Sequence, residues 1–420
     1  MTRKELPQAG LTLMIYAHAC TLHTRLACLL FHPGYDWHTL GSLQTKIKTY
    51  PTLYDKDYCI TTDDKHCFEP FQPIPLPFVR DSKHRVLYCI TEYDPLMDSC
   101  NMNMDDWAKL ARDIEKHYEQ FDGFVILHGT DTMCYTASAL SFMLENLGKP
   151  VILTGAQLPL SETRSDAHGN MLGALLMAGS GYAHIPEVCI YFGHQLLRGN
   201  RTSKTSATSF SPYSSPNLPT LATLGMNVSI AGHHARCRDL KFKAHSAMCP
   251  DVGTLTLFPG MTPQLVETFL QPPLKGAVLQ TYGAGHFPTQ RPLLDKVAQA
   301  CGRGVVVVNC SQCPHGTTHT ASECCLQELC ELGVVSGADL TVEAALTKLS
   351  FLLGQTHLSV HDVRKRMEED LRGEMTVESC TLTAAVYSKG TVESCSKGTA
   401  SNGLHPDGEQ SNAITTNHQS

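Results

Sequence analysis

Three polar stretches of the sequence carry side chains that could do chemistry. The first, residues 128–133, follows the apolar run 124–127 and places a glycine, the hydroxyl of Thr130 and the carboxylate of Asp131 in one turn. Open α/β sheets bind ligands outside the carboxyl ends of their strands, so a site is expected at this turn. A threonine hydroxyl can relay a proton or attack when a neighbour takes its proton, and a carboxylate can bind an ammonium group. The alternative for this turn alone is a helix N-cap.

The other two stretches add a lysine and a second polar turn. Residues 198–204 end in Lys204, whose amine can activate a hydroxyl that lies beside a carboxylate. The structural alternative is a basic loop in water. Residues 94–99 end in Asp98 and Ser99 after the predicted strand 86–90, and the alternative there is a plain Asp-Ser turn.

The elements around these stretches predict an α/β fold. Residues 105–118 have helical apolar spacing, the apolar run 124–127 follows, and a second helical stripe leads to the strand 151–153. Continuous apolar strands joined by a helix favour a parallel sheet covered on both faces. Strands are also predicted at 253–258, 276–280 and 304–308, with helices between them. The fold class is therefore a larger N-terminal, parallel-type sheet flanked by helices, followed by a smaller C-terminal α/β domain.

Composition limits the classes of partner and compartment. The chain has 420 residues and a net charge of -7, which gives no electrostatic case for nucleic acid or an anionic membrane. The 18 cysteines are scattered, which is typical of a reduced, cytoplasmic protein. Cys310, Cys313 and His315 suggest zinc, but a second cysteine pair at finger-like spacing is missing, so no metal is predicted.

The N-terminal segment is unusual in its apolarity. Residues 11–31 follow Arg3 and Lys4, which raises the possibility of a signal peptide or membrane anchor. His18, His23 and Arg25 interrupt the run, and a spanning helix needs about 20 mainly apolar residues, so no membrane segment is predicted.

The sequence contains six segments whose order and spacing identify the chain as similar to the type I, cytosolic, bacterial-type L-asparaginases. The resemblance runs from about residue 33 to residue 373. The predicted organisation is an atypical segment 1–32, an N-terminal domain 33–215, a linker 216–235, a C-terminal domain 236–373 and a disordered tail 374–420. The segments are residues 128–133, 154–157 (Thr-Gly-Ala-Gln), 164–166 (Arg-Ser-Asp), 198–204, 215–218 (Ser-Pro-Asn-Leu) and 337–344 (Gly-Ala-Asp-Leu-Thr-Val-Glu-Ala).

The resemblance implies a two-domain α/β enzyme, assembled as homodimers or homotetramers, that hydrolyses L-asparagine to L-aspartate and ammonia without metal or cofactor. By motif match, Thr130 resembles the second catalytic threonine and Asp131 the residue that binds the substrate ammonium group. Lys204 resembles the lysine of a hydroxyl–lysine–carboxylate relay. Asp98 and Ser99 match the pair that holds the amino-acid end of the substrate.

The chain departs from this family at the attacking group. The family's nucleophilic threonine lies in a Thr-Gly-Gly-Thr-Ile segment, which is absent from this sequence. Thr21 and Thr24, in the corresponding region, lack neighbouring glycines that would permit the tight turn. Loss of a nucleophile usually removes most of an enzyme's rate.

Four functions therefore remain open. The first is a working asparaginase, and the second is a weak or inactive amino-acid-binding paralogue or isoform that assembles with intact subunits. The third is a lysophospholipase-type ester hydrolase, for which the sequence lacks a Gly-x-Ser-x-Gly elbow. The fourth is a subunit that feeds ammonia to a tRNA-linked step, which the acidic charge balance does not favour. The sequence does not decide between asparagine and glutamine as substrate.

Overall fold

The structure is a computed structural model. It describes residues 11–16, 19–20, 23–31, 42–61, 65, 68–79, 85–93, 97–179, 182, 185–231, 240–318 and 324–376. In chain order the strands are β1 (Leu11–Tyr16), β2 (Ala19–Cys20), β3 (His23–Phe31), β4 (Ile74–Pro75), β5 (Arg85–Glu92), β6 (Gly123–Leu127), β7 (Leu144–Glu145), β8 (Val151–Thr154), β9 (Val188–Phe192), β10 (Gln195–Arg198), β11 (Ser203–Lys204), β12 (Tyr213–Ser214), β13 (Ala222–Leu224), β14 (Val228–Ile230), β15 (Lys243–Ala244), β16 (Val252–Thr256), β17 (Gly276–Thr281), β18 (Val306–Ser311) and β19 (Val335–Ser336). The helices are α1 (Ser42–Ile47), α2 (Met104–His117), α3 (Met133–Met143), α4 (Ala167–Gly179), α5 (Pro263–Phe269), α6 (Arg291–Gly302), α7 (Cys324–Glu331), α8 (Val342–Gly354) and α9 (Val360–Met367).

The N-terminal half is built on one mixed sheet of order β14-β13-β10-β9-β8-β6-β1-β3-β5-β4, with β2 paired to β3. Strands β5, β3, β6, β8 and β9 run parallel, whereas β1 and the strands from β10 outward pair antiparallel. All five residues of β6 are buried, as expected for a central strand with helices on both faces. The predicted α/β class is confirmed, and the sheet is mixed because β1 lies antiparallel between β6 and β3 and further antiparallel strands extend both edges.

The N-terminal segment joins this sheet. Strands β1 and β3 pair with β6, and β3 also pairs with β5, so residues from the stretch considered as a leader or anchor form strands of the sheet. No helix in the described part of the chain is long and apolar enough to cross a membrane.

The β-α-β unit at the predicted site has the expected topology, with one difference in the helix. Helix α3 connects β6 to the parallel strand β8. The helical spacing of Leu140, Met143, Leu144 and Leu147 predicts a helix through Leu147, but α3 ends at Met143, because β7 pairs antiparallel with β15. Helix α2, in contrast, closely matches the predicted span and begins with a capping box of Asn103 and Asp106.

The C-terminal half has its own parallel sheet, in the order β16-β17-β18-β19. Apolar side chains on the two faces of this sheet fill two separate clusters, one of them against α6 and the other against α8. Up to Thr376, the chain forms one compact unit.

Two segment boundaries differ from the sequence expectation. Within the predicted linker 216–235, β13 and β14 extend the N-terminal sheet, because Leu221 and Ala222 are buried against it. The predicted tail begins at 374, yet Glu374 and Met375 are buried and Thr376 is hydrogen-bonded to Asp339. The rest of that tail, 377–420, lies outside the described residues.

Candidate active site

The turn after β6 brings Thr130 and Asp131 to the carboxyl edge of the sheet. Thr130 is half-buried and Asp131 is exposed, and helix α3 starts two residues later. The helix N-cap is Thr132, whose hydroxyl donates to the carbonyl of Ser99 at 2.7 Å instead of capping the helix. The side chains of Thr130 and Asp131 therefore do not cap helix α3, and both contact other groups.

Lys204 joins these two side chains. Its Nζ donates to Thr130 Oγ1 at 3.0 Å and to Asp131 Oδ1 at 2.7 Å. The hydrogen bond from Lys204 holds the pKa of Asp131 below its ordinary value, against a smaller opposing effect of burial. The lysine side chain is 18 % exposed, so the basic loop of the structural alternative is in fact folded onto the turn.

A two-stranded ribbon places the lysine. Strands β11 and β12 pair antiparallel, with Lys204 opposite Tyr213. The Tyr213 hydroxyl donates to the carbonyl oxygen of Thr130 at 2.6 Å, and burial raises the pKa of Tyr213 well above its ordinary value. Because the two cross-strand partners both contact Thr130, the ribbon fixes the hydroxyl and its lysine together. The stretch 203–219, which is rich in Ser, Thr and Pro, is exposed at 207–211, but Lys204 and Tyr213 attach it to the turn after β6.

Asp98 and Ser99 lie against the same turn. Ser99 is 2 % exposed, and its carbonyl accepts from Thr132. Asp98 Oδ1 accepts from the Cys100 amide at 3.0 Å, and Cys100 Sγ donates to Asp131 Oδ2 at 3.4 Å. Burial and the hydrogen bond to Asp131 raise the pKa of the Cys100 thiol, which keeps it protonated. The structure therefore brings all five predicted residues into one cluster.

His128 supports the turn from below. Its Nδ1 donates to the Gly129 carbonyl at 2.6 Å, and its Nε2 accepts from the Thr136 hydroxyl at 2.8 Å. Burial lowers the pKa of His128 to about 4, so the imidazole is neutral at physiological pH. Trp107 Nε1 donates to the same Thr136 hydroxyl at 3.0 Å. This buried network is structural and orients the end of β6.

The second strand end, residues 154–157, packs directly against the first. The His128 amide donates to the Thr154 carbonyl at 2.7 Å. Asp166 accepts from the amides of Gln157 and Leu158, each at 3.0 Å. The motif residues at 154–157 and 166 thus hold one edge of the site rather than face the Lys204 amine.

Gly155 is required by this close approach. A Cβ at this position would lie 2.2 Å from the carbonyl oxygen of His128. We expect Gly155→Ala to lower the free energy of unfolding by about 1–3 kcal/mol, because the backbone of β6 must shift. Gly169→Ala is the matched control, since a Cβ there meets nothing within 4 Å. Urea unfolding of both variants measures the difference, and equal midpoints would contradict the argument.

Two contributors to the site, Tyr213 and Cys100, were missed by the sequence prediction. Tyr213 and Cys100 contact Thr130 and Asp131, and the Ser203 hydroxyl donates to Glu343 Oε2 at 2.8 Å. Burial raises the pKa of Glu343. The sequence carries no specific signal for Tyr213, because the exposed Phe210 lies in the same Ser/Thr/Pro-rich stretch. Within the described residues, no group of three or more His, Cys, Asp or Glu side chains is placed to hold a metal ion.

Two family models match successive parts of the chain. The family model "Asparaginase, N-terminal" matches residues 46–236, and "Glutaminase/Asparaginase C-terminal domain" matches residues 251–367. The chain is 47 % identical over 337 residues to the 60 kDa lysophospholipase of Mus musculus, covering 80 % of this chain and 58 % of that protein. It is 46 % identical to L-asparaginase 1 of Escherichia coli (strain K12), covering 69 % of this chain and 85 % of that protein.

Solved structures give the same assignment. L-asparaginase I from Vibrio cholerae superposes with a TM-score of 0.65 at 45 % identity, over 68 % of this chain and 86 % of that one. The chain spans 58 %, 51 % and 56 % of three of the curated relatives it matches, the mouse and human 60 kDa lysophospholipases and the L-asparaginase of Dirofilaria immitis. The resemblance inferred from the six motifs is confirmed, and the chain belongs to the asparaginase family.

Proposed function

We propose that this chain hydrolyses the side-chain amide of L-asparagine to give L-aspartate and ammonia. The observation that carries the proposal is the contact of one lysine amine with both a hydroxyl and a carboxylate, Thr130 and Asp131. Relatives at 46 % and 41 % identity bear the names L-asparaginase 1 and L-asparaginase. A hydrolase for a small zwitterion needs an anion for the ammonium group, donors for the carboxylate, and a proton relay at the amide.

Each residue has a distinct role in this proposal. The ionised Asp131 carboxylate, 60 % exposed, binds the substrate α-ammonium group. Asp98 and Ser99 hold the amino-acid end of the substrate. Lys204 exchanges a proton with the Thr130 hydroxyl, which relays it between the attacking oxygen and the departing ammonia. An acyl-enzyme route would need an attacking hydroxyl besides Thr130, because the Thr-Gly-Gly-Thr-Ile segment is absent; that attack would release ammonia, and water would then release aspartate.

The direct test is ammonia release from L-asparagine by the purified full chain. We expect release above the spontaneous rate, stopping when Thr130 is replaced by alanine. L-Glutamine, assayed in parallel, gives the side-chain preference. Identical background traces from the native chain and Thr130→Ala would contradict the proposal.

A second candidate is an amino-acid-binding paralogue with little catalysis. The absence of the Thr-Gly-Gly-Thr-Ile segment favours it, since the strands β1 and β3, which pair with β6, have a sequence without this motif. This candidate predicts calorimetric binding of L-asparagine that is lost in Asp131→Asn, without ammonia release. Assembly as homodimers or homotetramers, proposed for either candidate, is measured by light scattering coupled to size-exclusion chromatography.

An ester hydrolase is the third candidate, on the ground that two relatives bear the name 60 kDa lysophospholipase. We assign this activity to the same Thr130–Lys204 pair, because the sequence lacks a Gly-x-Ser-x-Gly elbow. Fatty-acid release from lysophosphatidylcholine that survives Thr130→Ala would assign the ester activity to another part of the chain.

A further inference from the structure

The loop that delivers Lys204 is tied to the C-terminal end of the compact unit. We call residues 198–204 the lysine loop and residues 370–376 the C-terminal strap. Three side chains of the loop donate to three successive carbonyl oxygens of the strap: Asn200 Nδ2 to Arg372 at 3.1 Å, Arg198 to Gly373 at 3.1 Å, and Arg201 to Glu374 at 3.0 Å. Successive main-chain acceptors fix both the distance and the register between the two segments.

Arg201 is the centre of this junction. Its side chain is 3 % exposed and pairs with Asp339 at 2.9 Å. It also donates to the Thr376 hydroxyl at 2.8 Å and to the Asn217 carbonyl at 3.2 Å. One planar guanidinium therefore joins the lysine loop, the strap and the segment before α8.

The carboxylate partner is held just as firmly. Asp339 accepts from the Thr376 amide at 2.8 Å and from the Thr376 hydroxyl at 2.6 Å. Burial works to raise the pKa of Asp339, but hydrogen bonds from Arg201 and Thr376 outweigh it and lower the pKa. The Asp339 carboxylate is thus ionised at neutral pH beside the Arg201 guanidinium.

The strap itself is anchored in the core. Lys348 and Glu374 are both 0 % exposed and form an ion pair of 2.7 Å. Lys348 also donates to the carbonyl of Met367 at 2.9 Å, and Glu374 accepts from the amides of Leu371 and Arg372. The strap is consequently a rigid support against which the lysine loop is set.

We propose that Arg201 is a positioning residue for Lys204, acting through the C-terminal strap. The inference rests on the proposed amide hydrolysis, because it assigns Arg201 a role in that reaction. Arg201 is three residues from Lys204, and none of its described contacts reaches Thr130 or Asp131. A displacement of about 1 Å at a reacting group can cost about 10²-fold in rate. Loss of the contacts between the lysine loop and the C-terminal strap is therefore expected to lower kcat.

The test compares Arg201→Met with the double variant Arg201→Met/Asp339→Leu. The single variant leaves a buried carboxylate without its cation, whereas the double variant removes both charges and regains much of the stability. We expect kcat for L-asparagine to fall by about 10- to 100-fold in both, with KM changed by less than about threefold, since the groups that bind the substrate are untouched. Arg85→Met is the matched control, because Arg85 also pairs with a carboxylate, Asp55, and donates to a carbonyl away from the loop.

A second readout is independent of activity. Acetic anhydride labels free lysine amines, and peptide mass spectrometry reports labelling of Lys204 relative to the exposed Lys48. We expect Lys204 labelling to rise severalfold in Arg201→Met and in the double variant, and to stay at the native level in Arg85→Met. Thr376→Val, which keeps the ion pair, should change kcat and labelling in the same direction by a smaller factor and serves where Arg201→Met does not fold.

The outcomes separate this inference from the proposed function. Native kcat and native Lys204 labelling in the double variant would overturn the positioning role. A native chain without ammonia release would overturn the proposed function alone, and increased Lys204 labelling in the variants would still support the placement of Lys204 by Arg201. Recovery of kcat together with thermal stability in the double variant would reduce Arg201 to a structural role and overturn the inference.

Discussion

Lys204→Met is expected to lower kcat/KM for L-asparagine by about 10²- to 10⁴-fold, the usual contribution of a positioned acid–base group. Methionine keeps the length of the side chain and removes its proton-exchanging amine. The Thr130 hydroxyl then loses its 3.0 Å partner and Asp131 its 2.7 Å partner. Steady-state ammonia release measures the effect, and circular dichroism confirms that the variant is folded.

Lys204→Arg separates charge pairing from proton exchange. Arginine keeps a cation beside Asp131 but does not give up a proton at physiological pH. We expect Lys204→Arg to bind L-asparagine at least as well as Lys204→Met while remaining as slow in turnover. Native turnover in Lys204→Arg would contradict the relay and leave Lys204 with an electrostatic role only.

The Lys204→Met variant is also expected to lose substrate binding at a higher pH than the native protein; we call the pH at which binding is lost the acid limit. Lys204 holds the pKa of Asp131 below its ordinary value, so in the native protein this carboxylate is still ionised when the pH has fallen to the ordinary pKa of an aspartate. In Lys204→Met the pKa of Asp131 returns upward, and the ammonium site is lost at a higher pH. Calorimetric titrations with L-asparagine across the acid range follow this shift, and an unchanged acid limit would contradict it.

Lys348→Met is expected to lower the free energy of unfolding by about 3–5 kcal/mol, the usual cost of removing one partner of a buried ion pair. Burial lowers the pKa of Lys348, and the charge of Glu374 opposes that shift. Burial likewise works to raise the pKa of Glu374, but Lys348 and the strap amides outweigh it and lower the pKa. Without the lysine, the carboxylate of Glu374 is fully buried and lacks its ion-pair partner. Urea unfolding at neutral pH gives the magnitude.

Two controls test that reason. Lys348→Met/Glu374→Leu removes both charges, and we expect it to be much closer to the native stability than Lys348→Met. In Lys348→Met the folded-state pKa of Glu374 is raised above its unfolded value. The destabilisation is therefore full above that raised pKa and is relieved as the pH falls through it. A double variant as unstable as the single one would show that packing, not charge, causes the loss.

Much of the fold follows from local pattern. The run Phe124 to Leu127 predicted a buried central strand, and the apolar stripe around Trp107 predicted helix α2 closely. These predictions succeed because burial on both faces of a strand, or on one face of a helix, leaves a direct periodic trace in the sequence. Strands β7 and β15 left no such trace, since each has two residues and exists only through its partner.

The residues of the site likewise divide into those that the sequence predicted and those that only the fold revealed. Residue type and spacing marked Thr130, Asp131, Lys204, Asp98 and Ser99, because reactive groups after strands are visible as motifs. Nothing local marked Tyr213 as the donor to the Thr130 carbonyl, since that contact spans 83 positions and depends on the pairing of β11 with β12. The burial of Arg201 was equally invisible, because an arginine reads as a surface residue until its partners are assembled.

Motifs and composition were enough to predict the family, the α/β class and the chemical types at the site, and the sequence shows that the Thr-Gly-Gly-Thr-Ile segment is absent. The contacts of Lys204 with Thr130 and Asp131, and the hydrogen bond from Arg201 to the strap, became visible with the fold. Motifs can be read from the sequence because they depend on neighbours along the chain. The position of a side chain across a site depends instead on long-range hydrogen bonds and ion pairs, which are stable only once the surrounding core has excluded water.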